Sequence, residues 1–269
     1  MSIQRTTIKR IVEFSNELRQ KYSDILVSNY YNQYSVDSPI MFDYYKDDSS
    51  LCFGGYDNEL YRLFFISADL DSLNRIIPLF PRNSIIEFIF VGDNCPYDFS
   101  KISCINQIDS FKRYHTFLSD DSFAKKLDHR FFSMYLPDCT QLADSSDFVN
   151  LQCLLNTVFD KRVSHLPSND ELKELINKKC VIVCKQNGEI KTFWFLKKEG
   201  KRIYSYEAYN SIQGIYMQSL WYKYFNEFKE QKYREVYAWV SDKNFFSLNL
   251  HYKFNFTFDR INLLIFETK

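Results

Sequence analysis

The chain has 269 residues, 45% of them apolar, enough to bury one large core or two modest ones, and ordinary domain size favours two compact domains. Its 34 basic residues are balanced by 34 acidic ones, so no global field draws it to DNA or to an anionic membrane. Residues 1–10 are polar and charged, and no apolar run reaches the ~18 residues of a membrane span, so a cytoplasmic setting with no membrane partner is expected.

The first half opens on a helical pattern over 6–31, followed by strand-like runs at 40–45, 50–53 and 60–67. A helix is expected over 70–79, a strand over 85–91, a short helix near 99–105 and a strand over 111–118. A linker near 119–129 then separates the halves.

The second half begins with an aromatic strand-like run at 130–136 and a Pro137-Asp138 break. Phe148, Leu151, Leu155 and Val158 recur at the period of a core-facing helix over 146–159. Ser168-Asn169-Asp170-Glu171 is a capping box that starts a second helix through Leu172, Leu175 and Ile176. Strands are expected at 180–185, 190–196 and 203–209, joined by hairpins at Asn187-Gly188 and Glu199-Gly200. A helix over 214–229, a strand over 235–240, a short helix and strands at 256–258 and 261–266 complete the series.

Seven scattered cysteines without Cys-x-x-Cys pairs read as reduced thiols, and no metal site is expected. Cys180 and Cys184 share one strand face with Cα atoms roughly 13 Å apart at the rise of a strand, too far to bridge, and both read as core residues. Aromatic content is high, with 26 Phe and 20 Tyr against 6 Gly, which supplies large side chains for a pocket or a domain interface.

The stretch from Trp239 to Phe256 reads as strand, loop, short helix, strand. Within it Asn244, Ser247, Leu250, His251, Lys253, Phe254, Asn255 and Phe256 fall at the spacing of a segment near the end of GCN5-related N-acetyltransferases (GNATs), which it resembles. The family usually carries Gly where this chain has Asn255, and both residues tolerate the left-handed conformation of a helix C-terminus. The element order over about 130–269 is also similar to the whole fold, and the order of the first half echoes its second part. The resemblance implies a mixed α+β protein of two GNAT-like domains in tandem. Residues 1–125 would be a degenerate copy and 126–269 the acyltransferase domain.

The resemblance also implies a site. The family holds the coenzyme A pyrophosphate on backbone amides at a helix N-terminus, where unpaired N–H groups favour an anion. The aligned loop is Ser211-Ile212-Gln213-Gly214-Ile215-Tyr216, which keeps the central Gly214, while Tyr216 is bulky enough to cover or crowd the phosphates. With Tyr209, Asn244 and Ser247 these residues form the implied binding set for acetyl-CoA or another acyl-CoA. The matching place in the first half, Ser67-Ala68-Asp69-Leu70-Asp71, lacks Gly and carries two carboxylates that repel a pyrophosphate.

For catalysis the resemblance implies Glu207 as the base that takes the amine proton, with a solvated or salt-bridged strand residue as the alternative reading. A backbone N–H near Ala208 would stabilise charge on the thioester oxygen. His251 stands where the family usually has the Tyr that protonates the leaving thiolate. Tyr252, one residue on, points about 100° away along a helix. A packed helix residue is the alternative for His251. The implied activity is N-acyl transfer from acyl-CoA to a primary amine of a small molecule or peptide. A carrier-protein or aminoacyl-tRNA donor is a variant, for which the one local basic cluster, Lys223, Lys229, Lys232 and Arg234, is diluted by Glu227 and Glu230. The reading from a different class is a non-catalytic binding or assembly module that kept the fold and lost the coenzyme loop.

Overall fold

The computed structural model describes residues 2–23, 26–31, 34–57, 59–119, 123, 140–212 and 214–269. The chain forms two compact units, Met1–Ser110 with Ile261–Lys269, and Phe111–Arg260. The division expected at 125/126 and the strand expected over 130–136 lie outside the described residues. The last residues of the chain join the first unit, and not the second as the 126–269 boundary implied, because they pair there with a strand of that unit.

In the first unit β1 (Gln4–Thr7) leads into α1 (Ile8–Lys21), followed by β2 (Val27–Ser28), β3 (Met41–Lys46), β4 (Ser50–Asp57) and β5 (Leu60–Ser67). Then come α2 (Leu70–Ile76), β6 (Ile85–Val91) and β7 (Ile105–Phe117), whose residues from Phe111 on belong to the second unit. The helix expected over 6–31 is therefore shorter at both ends. Thr6 and Thr7 pair with Phe42 and Met41, and Val27 and Ser28 pair with Ser67 and Ile66, so ladder hydrogen bonds win over helical pattern at each end. Alternation of side chains along β4 and β5 builds two cores. Leu51, Phe53, Phe64 and Ile66 meet Ile8, Ile11 and Leu18 of α1, while Cys52, Leu63 and Phe65 meet Leu73 and Ile76 of α2.

The second unit contains β8 (Thr140–Leu142), α3 (Phe148–Val158), α4 (Asn169–Asn177), β9 (Val181–Gln186), β10 (Glu189–Glu199) and β11 (Arg202–Asn210). It continues with α5 (Gly214–Glu230), β12 (Glu235–Ser241) and α6 (Phe245–Lys253), and β13 (Thr257–Thr268) starts here, its residues from Ile261 on belonging to the first unit. The capping box is present, with Ser168 and Glu171 bonding each other's backbone. Asn187 and Gly188 take φ 52 and 81, the turn their sequence demands. Asn255 takes φ 57, the left-handed conformation expected of it.

The strands of this unit run in the order β7, β12, β11, β10, β9, β8, all antiparallel except β11 with β12. One core joins Trp194 of β10 to Trp221 and Phe225 of α5 and to Phe254 and Phe256 after α6. The two strands expected at 256–258 and 261–266 are one, β13, with Arg260 at φ 68 inside it. From Ile261 to Glu267 this strand pairs antiparallel with β6, Ile261 opposite Val91 and Glu267 opposite Ile85.

Cys184 is disulfide-bonded, a correction to the expectation of reduced thiols throughout. Cys52, Cys95, Cys104, Cys153 and Cys180 are free, so Cys180 and Cys184 are not joined to each other. Among the described residues no helix is long and apolar enough to cross a membrane.

Candidate functional site

The second unit contains a break in its sheet. β11 and β12 pair in parallel from Arg202 opposite Glu235 to Ser205 opposite Ala238, and beyond that row the strands part. β12 stays paired with β7 as far as Ser241 opposite Phe111, and β11 stays paired with β10 as far as Asn210 opposite Thr192. Just past the last shared row, the register of β10 with β11 shifts between Phe195 and Leu196, leaving Tyr206 as an extra residue. Bulges of this kind twist a strand away from its neighbour and recur beside active sites. The backbone groups of Glu207 and Ala208 on the β12 side therefore have no ladder partner in β12.

The two faces of the sheet at this point differ in chemistry. On one face lie Trp194, Ser205, Ala238 and Tyr114, under α5 and α6, with the Trp194 indole N–H donating to Ser205 Oγ at 2.8 Å. On the other lie Phe193, Phe195, Glu207 and Tyr209, together with Tyr204 stacked on Tyr237 at 4.8 Å. Glu207 makes no hydrogen bond or ion pair with a described residue. The residue is only half-buried by surface, yet its carboxyl is desolvated, and this lifts its pKa to about 8, against the pull of Lys197. The Lys197 ammonium sits 3.8 Å from the centre of the Tyr206 ring.

α5 begins four residues after β11, and the loop between them is tied down by a residue that the sequence reading did not single out. Asn210 accepts from Thr192 Oγ1 at 2.6 Å and donates from Nδ2 to the carbonyl of Ile212 at 3.0 Å. Asn followed by Ser at a strand end is a turn signal that could have marked it. Ser211 donates both its N–H and its hydroxyl to the carbonyl of Lys191, at 2.9 and 2.8 Å, so its hydroxyl proton is already committed. Gly214 is exposed, and a Cβ built on it meets nothing within 4 Å. The first turn of α5 holds no carboxylate. Tyr216 is half-buried. Gln213 lies outside the described residues, and Ile215 is described by backbone alone.

The corresponding helix start in the first unit is closed. Asp69 accepts from the Asp71 N–H at 2.9 Å, and Asp71 adds a second carboxylate to the first turn of α2.

On α6, Asn244 is the N-cap and accepts from the Ser247 N–H at 3.0 Å, so its side chain serves the helix. His251 does not suit the acid role expected of it. Its ring is buried among Trp221, Phe256 and Tyr114, and Nδ1 donates to the Ser247 carbonyl at 2.7 Å. Nε2 has no partner among the described residues, and burial lowers the pKa to about 4. An imidazole held neutral with its one proton committed has none to give. Tyr252 is about half exposed, and its hydroxyl lies 3.4 Å from that of Tyr114, the rings meeting edge to face. Among the described residues no three His, Cys, Asp or Glu side chains converge as a metal site.

No family model matches the sequence, and no curated protein does. Solved structures do match. A GCN5-related N-acetyltransferase from Sphaerobacter thermophilus is 8% identical, with a TM-score of 0.55, over 99% of this chain and 95% of that one. A tandem GNAT protein from the clavulanic acid biosynthesis pathway is 7% identical, with a TM-score of 0.52, over 94% of this chain and 86% of that one. At such identities the likeness is one of fold, and the chain has the mixed α/β fold of the GCN5-related N-acetyltransferases.

Proposed function

We propose that the unit Phe111–Arg260 is an N-acyltransferase that moves an acetyl or longer acyl group from acyl-CoA to a primary amine. The observation that carries this reading is the parting of β11 and β12 after Ser205 and Ala238, with the desolvated carboxyl of Glu207 beside the bulge. A parted pair of strands offers backbone N–H groups to a bound carbonyl without breaking a ladder.

The acyl thioester supplies an activated carbonyl. The amine nitrogen attacks that carbon, the C–N bond forms and the C–S bond breaks. Glu207 takes the proton the nitrogen sheds, its raised pKa making it a stronger base than an ordinary carboxylate. A β11 amide near Ala208 stabilises negative charge on the carbonyl oxygen, and Tyr252, in place of His251, gives the departing sulfur its proton. The amides opening α5 at Gly214 hold the pyrophosphate, since the first turn of this helix holds no carboxylate. Tyr209, Gln213, Ile215 and Tyr216 complete the coenzyme-binding set of this proposal. Asn244 and Ser247 shape it through the cap they form.

The first unit is a degenerate copy of the same fold that binds no coenzyme and serves a tandem arrangement. An acyl-CoA donor is preferred to a tRNA because Lys223 of the basic cluster already faces Glu227 at 3.8 Å. The setting proposed is cytoplasmic, on the five free thiols and in spite of the disulfide at Cys184.

A second reading, a binding or assembly module without catalysis, is favoured by the committed hydroxyl of Ser211 and by the burial of His251. Calorimetric titration of the purified protein with acetyl-CoA separates the two. Saturable binding, followed by thiol release when a primary amine is added, supports the enzyme. No binding at millimolar acetyl-CoA leaves the module.

A further inference from the structure

Tyr114, Ala238 and Ser205 form one row across β7, β12 and β11, and it is the last row before β11 and β12 part. The three side chains share the face under α5 and α6. Tyr114 is 4% exposed, and its ring packs at 5.9 Å against both Tyr252 and Phe258. Its hydroxyl meets that of Tyr252 at 3.4 Å and has no other hydrogen-bond partner among the described residues. A buried phenol on β7, in the last row before the gap, thus meets the half-exposed phenol near the end of α6.

We propose that Tyr114 is a positioning residue for the Tyr252 hydroxyl, holding it by a hydrogen bond and donating to its oxygen as that oxygen loses its proton to the leaving thiolate. This inference rests on the reading of Tyr252 as the proton donor. The direction of donation follows from the surroundings. Burial, and then the hydrogen bond to Tyr252, raise the pKa of Tyr114 well above that of an ordinary phenol, so Tyr114 keeps its proton while Tyr252 gives one up. The bond is long for O–H···O and tightens as charge grows on the Tyr252 oxygen, as catalytic bonds in ligand-free sites commonly do. No sequence motif marks Tyr114, an aromatic residue in a strand far along the chain from α6.

The test compares Tyr114→Phe, Tyr252→Phe and the double variant in the full chain. Thiol release from acetyl-CoA is followed with ethylamine, lysine amide and spermidine as probe amines. Tyr114→Phe keeps the ring and its packing, so Tm and the KM for acetyl-CoA should hold while kcat falls about 10-fold, the worth of one hydrogen bond to a developing charge. The double variant should be no slower than Tyr252→Phe alone, because Tyr114 acts only through Tyr252. With an aryl thioacetate donor, whose thiolate leaves without protonation, both single variants should return to the wild-type rate.

Equal rates for Tyr114→Phe and wild type on acetyl-CoA overturn the inference while leaving Tyr252 as the acid. Additive losses in the double variant overturn it too, by showing an independent structural role. A Tyr252→Phe defect that persists with the aryl donor, or none on acetyl-CoA, overturns the reading of Tyr252 on which the inference rests. No thiol release by the wild type with any probe overturns acyl transfer and the inference together.

Discussion

His251 donates a hydrogen bond from Nδ1 to the carbonyl of Ser247, one turn back along α6, and its Nε2 lies against the aromatic core without a partner among the described residues. The helix thus carries a neutral imidazole as a core residue. Desolvation opposes the imidazolium, and the pKa falls from the ordinary 6.5 to about 4.

A depressed folded-state pKa makes stability fall as pH falls. Between 6.5 and 4 the unfolded chain binds a proton at His251 that the folded chain refuses, so unfolding is increasingly favoured across that window. His251→Leu removes the titration. Relative to wild type the variant should gain stability as pH drops from 6.5 to 4, read from urea midpoints at several pH values. A constant difference between the two proteins across the window would mean that the imidazole is not held neutral.

Glu207 has the opposite sign. Its folded pKa, about 8, lies above the ordinary 4.5, so its contribution is present below 4.5 and lost as pH rises through 8. Glu207→Gln should therefore be increasingly more stable than wild type as pH rises from 4.5 to about 8, with no further change above that. The same ionisation creates the base, so kcat/KM of the wild type should climb with pH up to about 8 and then level. Glu207→Gln should lose about 100-fold or more in turnover and lose this climb. A variant with full activity would assign the base elsewhere.

The two units should differ in coenzyme binding. In the first, the Asp69 carboxylate already accepts from the Asp71 amide at the start of α2, and Asp71 adds a second negative charge. In the second, the first turn of α5 holds no carboxylate. Titration with acetyl-CoA should give one site per chain, and Asp69→Asn should leave affinity unchanged. A stoichiometry of two would show that the first unit also binds.

What was legible in the sequence was chemistry local to a few residues. Ser168 with Glu171, Asn187 with Gly188, and Asn255 each specify a backbone conformation by themselves, and the structure has all three. The spacing from Asn244 to Phe256 placed α6 and its cap correctly for the same reason. What failed depended on distant partners. The reach of α1 is limited by pairing of Thr6 with Phe42 and of Ser28 with Ile66, which no local pattern contains. Motif spacing fixes where His251 stands along α6 but not that Trp221 and Phe256 close over it. Asn210 and Tyr114 act across strands, and neither belongs to a spacing pattern.

Gly214 gives the last prediction. It stands exposed at the start of α5, with open space where a side chain would project and no left-handed backbone to strain. Substitution there should therefore leave the fold intact, and Gly214→Ala should keep the circular dichroism spectrum and add slightly to stability through helix propensity. Gly214→Glu is equally tolerated by the fold but puts a carboxylate where pyrophosphate oxygens must approach the helix amides. Its acetyl-CoA affinity should fall by at least about 10-fold, since a like charge costs more than the ~1.4 kcal/mol that one decade of affinity represents. The two variants together separate steric from electrostatic loss. If Gly214→Glu binds acetyl-CoA as tightly as wild type while folded, the pyrophosphate is held away from α5. The loop from Asn210 to Gly214 would then be only the structural turn that its hydrogen bonds already make it.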